Sequence, residues 1–144
     1  MFRNAVRPGA AAVAILFGLA TVWAGVRVLW GEADPGYVVF RPLLVFNTIM
    51  GAAYLGAGIV ILKHLRWGRN AAGAILLVNL VVAGAVALLF ASGAKVAVES
   101  ARAMALRAGV WLGIFAALFW LTVSSSRAAE VGDGPPARPP SPPH

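Results

Sequence analysis

Read from its first residue, the chain alternates long apolar runs with short charged segments. Residues 8–26, 42–62, 70–94 and 108–126 form runs of 19, 21, 25 and 19 residues without a charged side chain. Each is close to the roughly 20 residues that carry an α-helix across about 30 Å of hydrocarbon. Helices are required, because lipid satisfies no open backbone group and the runs lack the two-residue alternation of a barrel strand. The pattern predicts an all-α, polytopic integral membrane protein, a four-transmembrane-helix bundle. Its helices are expected near residues 9–30, 42–63, 70–92 and 97–123, together one transmembrane domain over 1–123. The first run follows Arg3 and Arg7 and ends near TVWAG, the order of a signal peptide's basic start and small-residue site. It exceeds the 7–15 apolar residues of a signal core, so it is expected to remain as the first helix.

The polar residues between the runs are unevenly placed. Arg3, Arg7, the Lys63, Arg66 and Arg69 of KHLRWGR, Arg127 and Arg138 put seven basic residues on one side of the membrane. Arg27, Arg41, Lys95, Arg102 and Arg107, interspersed with Glu32, Asp34 and Glu99, put five on the other. The excess predicts cytoplasmic termini in a bacterial-type inner membrane, because loops rich in Lys and Arg stay on the cytoplasmic side. The segment SSSRAAEVGDGPPARPPSPPH, residues 124–144, holds six of the nine prolines and is expected to be a disordered cytoplasmic tail with polyproline II bias. Its PxxP spacing is a form that SH3-like grooves read, although a solvated tail is the plainer reading.

Composition sharpens this. Of 144 residues 60% are hydrophobic and 12% charged, whereas a soluble domain carries about 25% charged residues. The net charge of +7 therefore has no soluble surface on which to form a basic stripe, and nucleic acid is not an expected partner. It reads as topology and contact with membrane lipids. The absence of cysteine removes disulfides, thiolate metal sites and thiol redox chemistry.

Helical spacing assigns faces. Asn47, Gly51, Tyr54 and Gly58 share one stripe of the second helix, and Ala14, Gly18, Thr21 and Gly25 share one of the first. Glycine lets backbones approach, and an Asn amide in hydrocarbon must find a partner, so both stripes are expected inside the bundle. Asn79, near the middle of the third helix, belongs there too. For Asn47 and Asn79 the plain reading is an interhelical hydrogen bond; contact with a solute is the other.

KVAVESARAMALRAGVWLG, residues 95–113, opens the fourth helix with charges in a membrane-like stretch. Ser100, Met104, Arg107 and Trp111 fall on one stripe, and Gly109, Gly113 and Ala117 form a small-residue ridge on roughly the opposite side. Arg107 stands about one turn inside the membrane boundary, where a guanidinium must pair or reach the surface. Arg41, Glu99, Ser100, Met104, Arg107 and Trp111 define a candidate rim for a ligand or partner. The alternative is an ordinary interfacial belt of Arg, Trp and carboxylates.

No catalytic set is present. His64 lies in a loop and His144 ends the chain, so no His–carboxylate pair, metal cluster or cofactor site is expected, and the chain does not read as an enzyme. The order of Arg, Gly, aromatic, Gly and Lys in RPLLVFNTIMGAAYLGAGIVILK is similar to that of one helix in DoxX-like small four-helix membrane proteins. That similarity covers about a sixth of the chain on residue types common to membrane helices, and identifies no family. Two functions remain. One is a small accessory or scaffold protein docking through Gly109, Gly113 and Ala117 on another membrane protein, or on a second copy. The other is a small oligomeric carrier or channel for a polar or anionic solute, with Asn47, Tyr54, Asn79 and Arg107 lining its path. None of the runs contains an acidic residue, which argues against a proton relay.

Overall fold

A computed structural model of the chain describes residues 2–32, 41–93 and 98–132, with side chains over 5–32, 41–93 and 98–125. These residues form four helices and no strand: α1 (Phe2–Leu29), α2 (Arg41–Lys63), α3 (Leu65–Ala91) and α4 (Val98–Gly132). Each is long and apolar enough to cross a membrane, so the protein is a multi-pass, all-helical membrane protein. Asp34, Lys95 and residues 133–144, the last carrying most of the expected tail, lie outside the described residues.

Three boundaries differ from the sequence pattern. α1 starts at Phe2, seven residues ahead of the expected start, so Arg3 and Arg7 are helical. α3 starts at Leu65, with His64 alone separating it from α2, so most of KHLRWGR is helical. Its charges shorten the apolar run without breaking the helix, since Arg and Leu are good helix formers. α4 continues to Gly132, well past Ser124, where the tail was expected to begin. Arg127, Ala128, Ala129 and Glu130 favour helix, and the first proline comes only at position 135. At 1.5 Å per residue the 35 residues of α4 would run about 52 Å, more than the roughly 30 Å of hydrocarbon.

Glycine stops two helices. After α1, Gly31 takes a positive φ of 74°, its N–H bonds the Val28 carbonyl, and the Glu32 N–H reaches back to Arg27. This closes the helix by the paired bonds that satisfy its last carbonyls. Gly93, with φ of 80°, does the same service after α3.

The bundle is held most extensively by α1 on α2 and by α3 on α4, with α2 and α3 joining the two pairs. Between α1 and α2 the backbones almost touch: a Cβ at Gly18 would lie 2.9 Å from the Gly51 carbonyl oxygen, and one at Gly58 would lie 3.2 Å from that of Ala11. Gly25 leaves room for Thr48, whose hydroxyl bonds the Leu44 carbonyl at 2.9 Å. The two expected stripes therefore face each other. α3 approaches α2 through Gly68, where a Cβ would stand 2.7 Å from the Ile61 Cα. At the same end Arg7 donates through Nε to the Ile61 carbonyl at 2.8 Å and through a terminal nitrogen to that of Leu62. A cation thus covers the open carbonyls at the negative end of α2.

Leu16, Ile49, Leu77, Val81, Leu88, Leu106 and Leu112 all point outward, while the inside holds alanines, Ile61, Ile75, Tyr54, Trp111 and Leu118. Large apolar groups outside and small or polar ones inside suit a lipid solvent, in which dispersion contacts and hydrogen bonds hold helices together. Replacing Gly51 by Leu should cost about 1–3 kcal/mol by forcing α1 and α2 apart, read as a lowered thermal midpoint in detergent. Gly84→Leu, where a Cβ meets nothing within 4 Å among the described residues, should leave the midpoint nearly unchanged.

Candidate functional site

The centre of the bundle is polar and aromatic. The Tyr54 hydroxyl of α2 donates to Asn79 Oδ1 of α3 at 2.9 Å, and Asn79 Nδ2 donates to the Ile75 carbonyl one turn back at 3.0 Å. Both side chains are wholly buried. The Tyr54 ring stacks on Phe17 of α1 at 5.8 Å and packs against Trp111 of α4 at 4.9 Å. One residue from each helix meets here. An amide and a phenol in hydrocarbon need partners, and each supplies the other's.

Above this junction, toward the end that carries Glu99, a cavity of about 160 Å³ opens between α1, α2 and α4. Thr21, Asn47, Ser100 and Arg107 give it polar groups, and Val28, Leu43 and Leu44 give it apolar wall. The Thr21 hydroxyl is turned back on the Phe17 carbonyl at 2.8 Å. Asn47 Oδ1 and, beside the junction, Trp111 Nε1 are buried with no hydrogen-bond partner among the described residues. Buried groups of that kind cost about 1–3 kcal/mol when left unmatched. The Arg107 guanidinium is half-buried and close enough to act electrostatically on the Tyr54 phenol.

The expected rim is thus divided. Arg41 and Glu99 are exposed at the mouth, Ser100 and Arg107 line the cavity, and Met104 and Trp111 lie inside the protein. Met104 packs with Leu43 and Val86 in a small core beneath the mouth. It shares a stripe with Arg107, but α2 and α3 close over it. The four residues of the expected solute path are not joined by open space: Asn47 and Arg107 border the cavity, whereas Tyr54 and Asn79 lie sealed beneath it.

The Gly109, Gly113 and Ala117 ridge lies elsewhere. It forms one wall of an apolar groove of about 380 Å³, whose other wall is Gly9, Ala10 and Val13 of α1. A Cβ at Gly9, Gly109 or Gly113 would meet no neighbouring helix within 4 Å among the described residues. α1 and α4 touch least of the neighbouring pairs, and the groove is the gap they leave. Sequence reading found the α4 wall and missed the other. The run PGAAA at 8–12 was its signal, since such small residues leave a helix surface shallow.

Compared with protein-family models, with curated proteins and with solved structures, the chain matches none. The class defined by fold and interior is therefore the whole of the identification: a multi-pass four-helix membrane protein with a polar central junction.

If the Tyr54–Asn79 bond joins α2 to α3, Tyr54→Phe should destabilise the protein by about 0.6–2 kcal/mol. Combined with Asn79→Leu in a double-mutant cycle, the two losses should fall short of additive by a similar amount. Fully additive effects on thermal unfolding would show that the bond contributes nothing.

Proposed function

We propose that the protein is a small accessory or scaffold subunit of a bacterial-type inner membrane that takes a transmembrane helix of another membrane protein into the α1/α4 groove. The supporting observation is that a Cβ at Gly109 or Gly113, spaced for close backbone contact, meets no other helix within 4 Å among the described residues. The groove is concave, with small residues on both walls, and a single convex helix is its complement. Two copies related by a two-fold axis would instead set concavity against concavity. Arg102, seven residues before Gly109, shares the ridge face and is exposed. A partner helix lying along the ridge would meet it about 10 Å farther on at 1.5 Å per residue, where a carboxylate on the partner would be favoured.

A photo-crosslinking side chain placed at Ala117 should join the chain to a membrane helix of a different protein. Gly113→Leu should abolish the adduct with no loss of thermal stability, because the leucine enters open space. Crosslinking to lipid or to a second copy alone would sink the accessory reading. A second reading rests on the Asn47, Ser100 and Arg107 cavity, which is sized and charged for a small polar or anionic solute. In that case Arg107→Ala, and not Gly113→Leu, should remove protection of the protein by a short-chain carboxylate.

The proposed orientation puts both termini in the cytoplasm, following the basic excess at their end. Cysteines replacing Glu32 and His64, both exposed, test it in intact cells. Glu32→Cys should react with an impermeant thiol reagent from outside and His64→Cys should not; the reverse pattern inverts the topology.

A further inference from the structure

The charge at the His64 end is not fully used by the helix contacts that surround it. Between the first turns of α3 and the last membrane turns of α4 lies a cleft of about 460 Å³, lined by Leu65, Arg66, Arg69, Thr122, Val123 and Ser125. Among the described side chains its charges are of one sign. α3 begins with no acidic residue in its first turn and no side chain capping its amides, His64 making no cap bond. A helix start carries partial positive charge, yet Arg66 and Arg69 add two full positive charges beside it. The acidic side chains described, Glu32 and Glu99, belong to the opposite end of the bundle.

Arg69 is held in place within this cleft. Its guanidinium donates to Thr122 Oγ1 at 3.3 Å and to Asn70 Oδ1 at 3.4 Å. The Thr122 hydroxyl donates to the carbonyls of Leu118 and Phe119, and that of Ser125 to Leu121 at 2.9 Å. With those protons turned toward the helix, Thr122 accepts from Arg69 and fixes its side chain against α4. Arg66, one turn earlier on the same helix, also lines the cleft and is exposed. Two guanidiniums, one anchored and one free to swing, can hold an oxyanion between them by charge-assisted bonds. The start of α3 adds backbone amides to the same side.

The depth of the cleft identifies the source of that oxyanion. Trp67, 70% exposed, and Trp120, 50% exposed, stand within two residues of its lining along α3 and α4, on other faces of those helices, and exposed Trp marks the headgroup level of a bilayer. Leu65 and Val123 give the cleft an apolar floor for glycerol and the first methylenes. We propose that this cleft binds the phosphate of an anionic glycerophospholipid, with Arg66 and Arg69 as its principal contacts. Basic clefts between membrane helices hold anionic headgroups by the same chemistry. The site is independent of the α1/α4 groove and survives or fails separately from it.

The test uses the full chain purified in detergent and titrated with phosphatidylglycerol, with phosphatidylcholine and with inorganic phosphate. Lipid retained is read by native mass spectrometry, and protection is read by thermal midpoint. Phosphatidylglycerol should be retained and raise the midpoint saturably, with phosphatidylcholine and inorganic phosphate weaker by tenfold or more. Each arginine removed should weaken it about fivefold, so Arg66→Gln alone suffices should Arg69→Gln disturb the Thr122 contact. Arg27→Gln, at the opposite end, should change nothing. Equal retention of phosphatidylglycerol by Arg66→Gln and the unaltered chain would overturn the proposal. So would equal affinity for phosphatidylcholine, or protection by inorganic phosphate matching that of the lipid.

Discussion

The hydrogen bond from Tyr54 to Asn79 is the constraint on which the rest of the bundle depends. Neither group can be left open in hydrocarbon, and each has its partner on a different helix. Satisfying that pair fixes the rotation of α2 against α3. Phe17 and Trp111 then pack against the same ring and bring in α1 and α4. Everything above and below is placed by this junction: the cavity ends on it, and the alanine-rich core continues from it toward the His64 end.

Glycine serves three physical ends in this chain. At Gly18, Gly51 and Gly58 it removes a side chain where two backbones come within contact distance. That closeness replaces the hydrophobic drive that lipid does not supply. At Gly31 and Gly93 it supplies a positive φ that ends a helix. At Gly109 and Gly113 it does neither, because no other helix among the described residues comes within 4 Å of a Cβ there. A ridge shaped for contact but left bare is what motivates a partner, and the shallow α1 surface opposite gives that partner a shape.

Charge is arranged by the ends of helices. Arg7 closes the carbonyls of α2, and Arg69 braces α3 against Thr122. Arg27 lies over the Trp23 ring at 6.0 Å, in the interfacial position that both residue types favour. Arg107 alone enters the polar cavity between helices. At the His64 end Arg7 thus answers a backbone dipole and Arg69 a facing helix, while at the other end Arg107 faces a small cavity. The two ends are suited to different neighbours for that reason.

The sequence by itself determined the solvent, the number of helices and much of their inward faces. A run of about 20 uncharged residues has one stable form in lipid, and helical spacing assigns Gly51, Tyr54, Gly58 and Asn79 to the interior because polar and small groups are poor surfaces for lipid. It misjudged where α1 and α3 begin and how far α4 runs, since charge ends a membrane span without ending a helix. It also grouped Met104 and Trp111 with Arg107, which one stripe on one helix permits. Only the tertiary structure decided that α2 and α3 cover Met104 while Arg107 stays beside a cavity. Likewise spacing could mark Gly109 and Gly113 as a contact ridge, but whether the contact is filled depends on how far α1 stands from α4. That separation is set by packing among all four helices, which no period along one helix encodes.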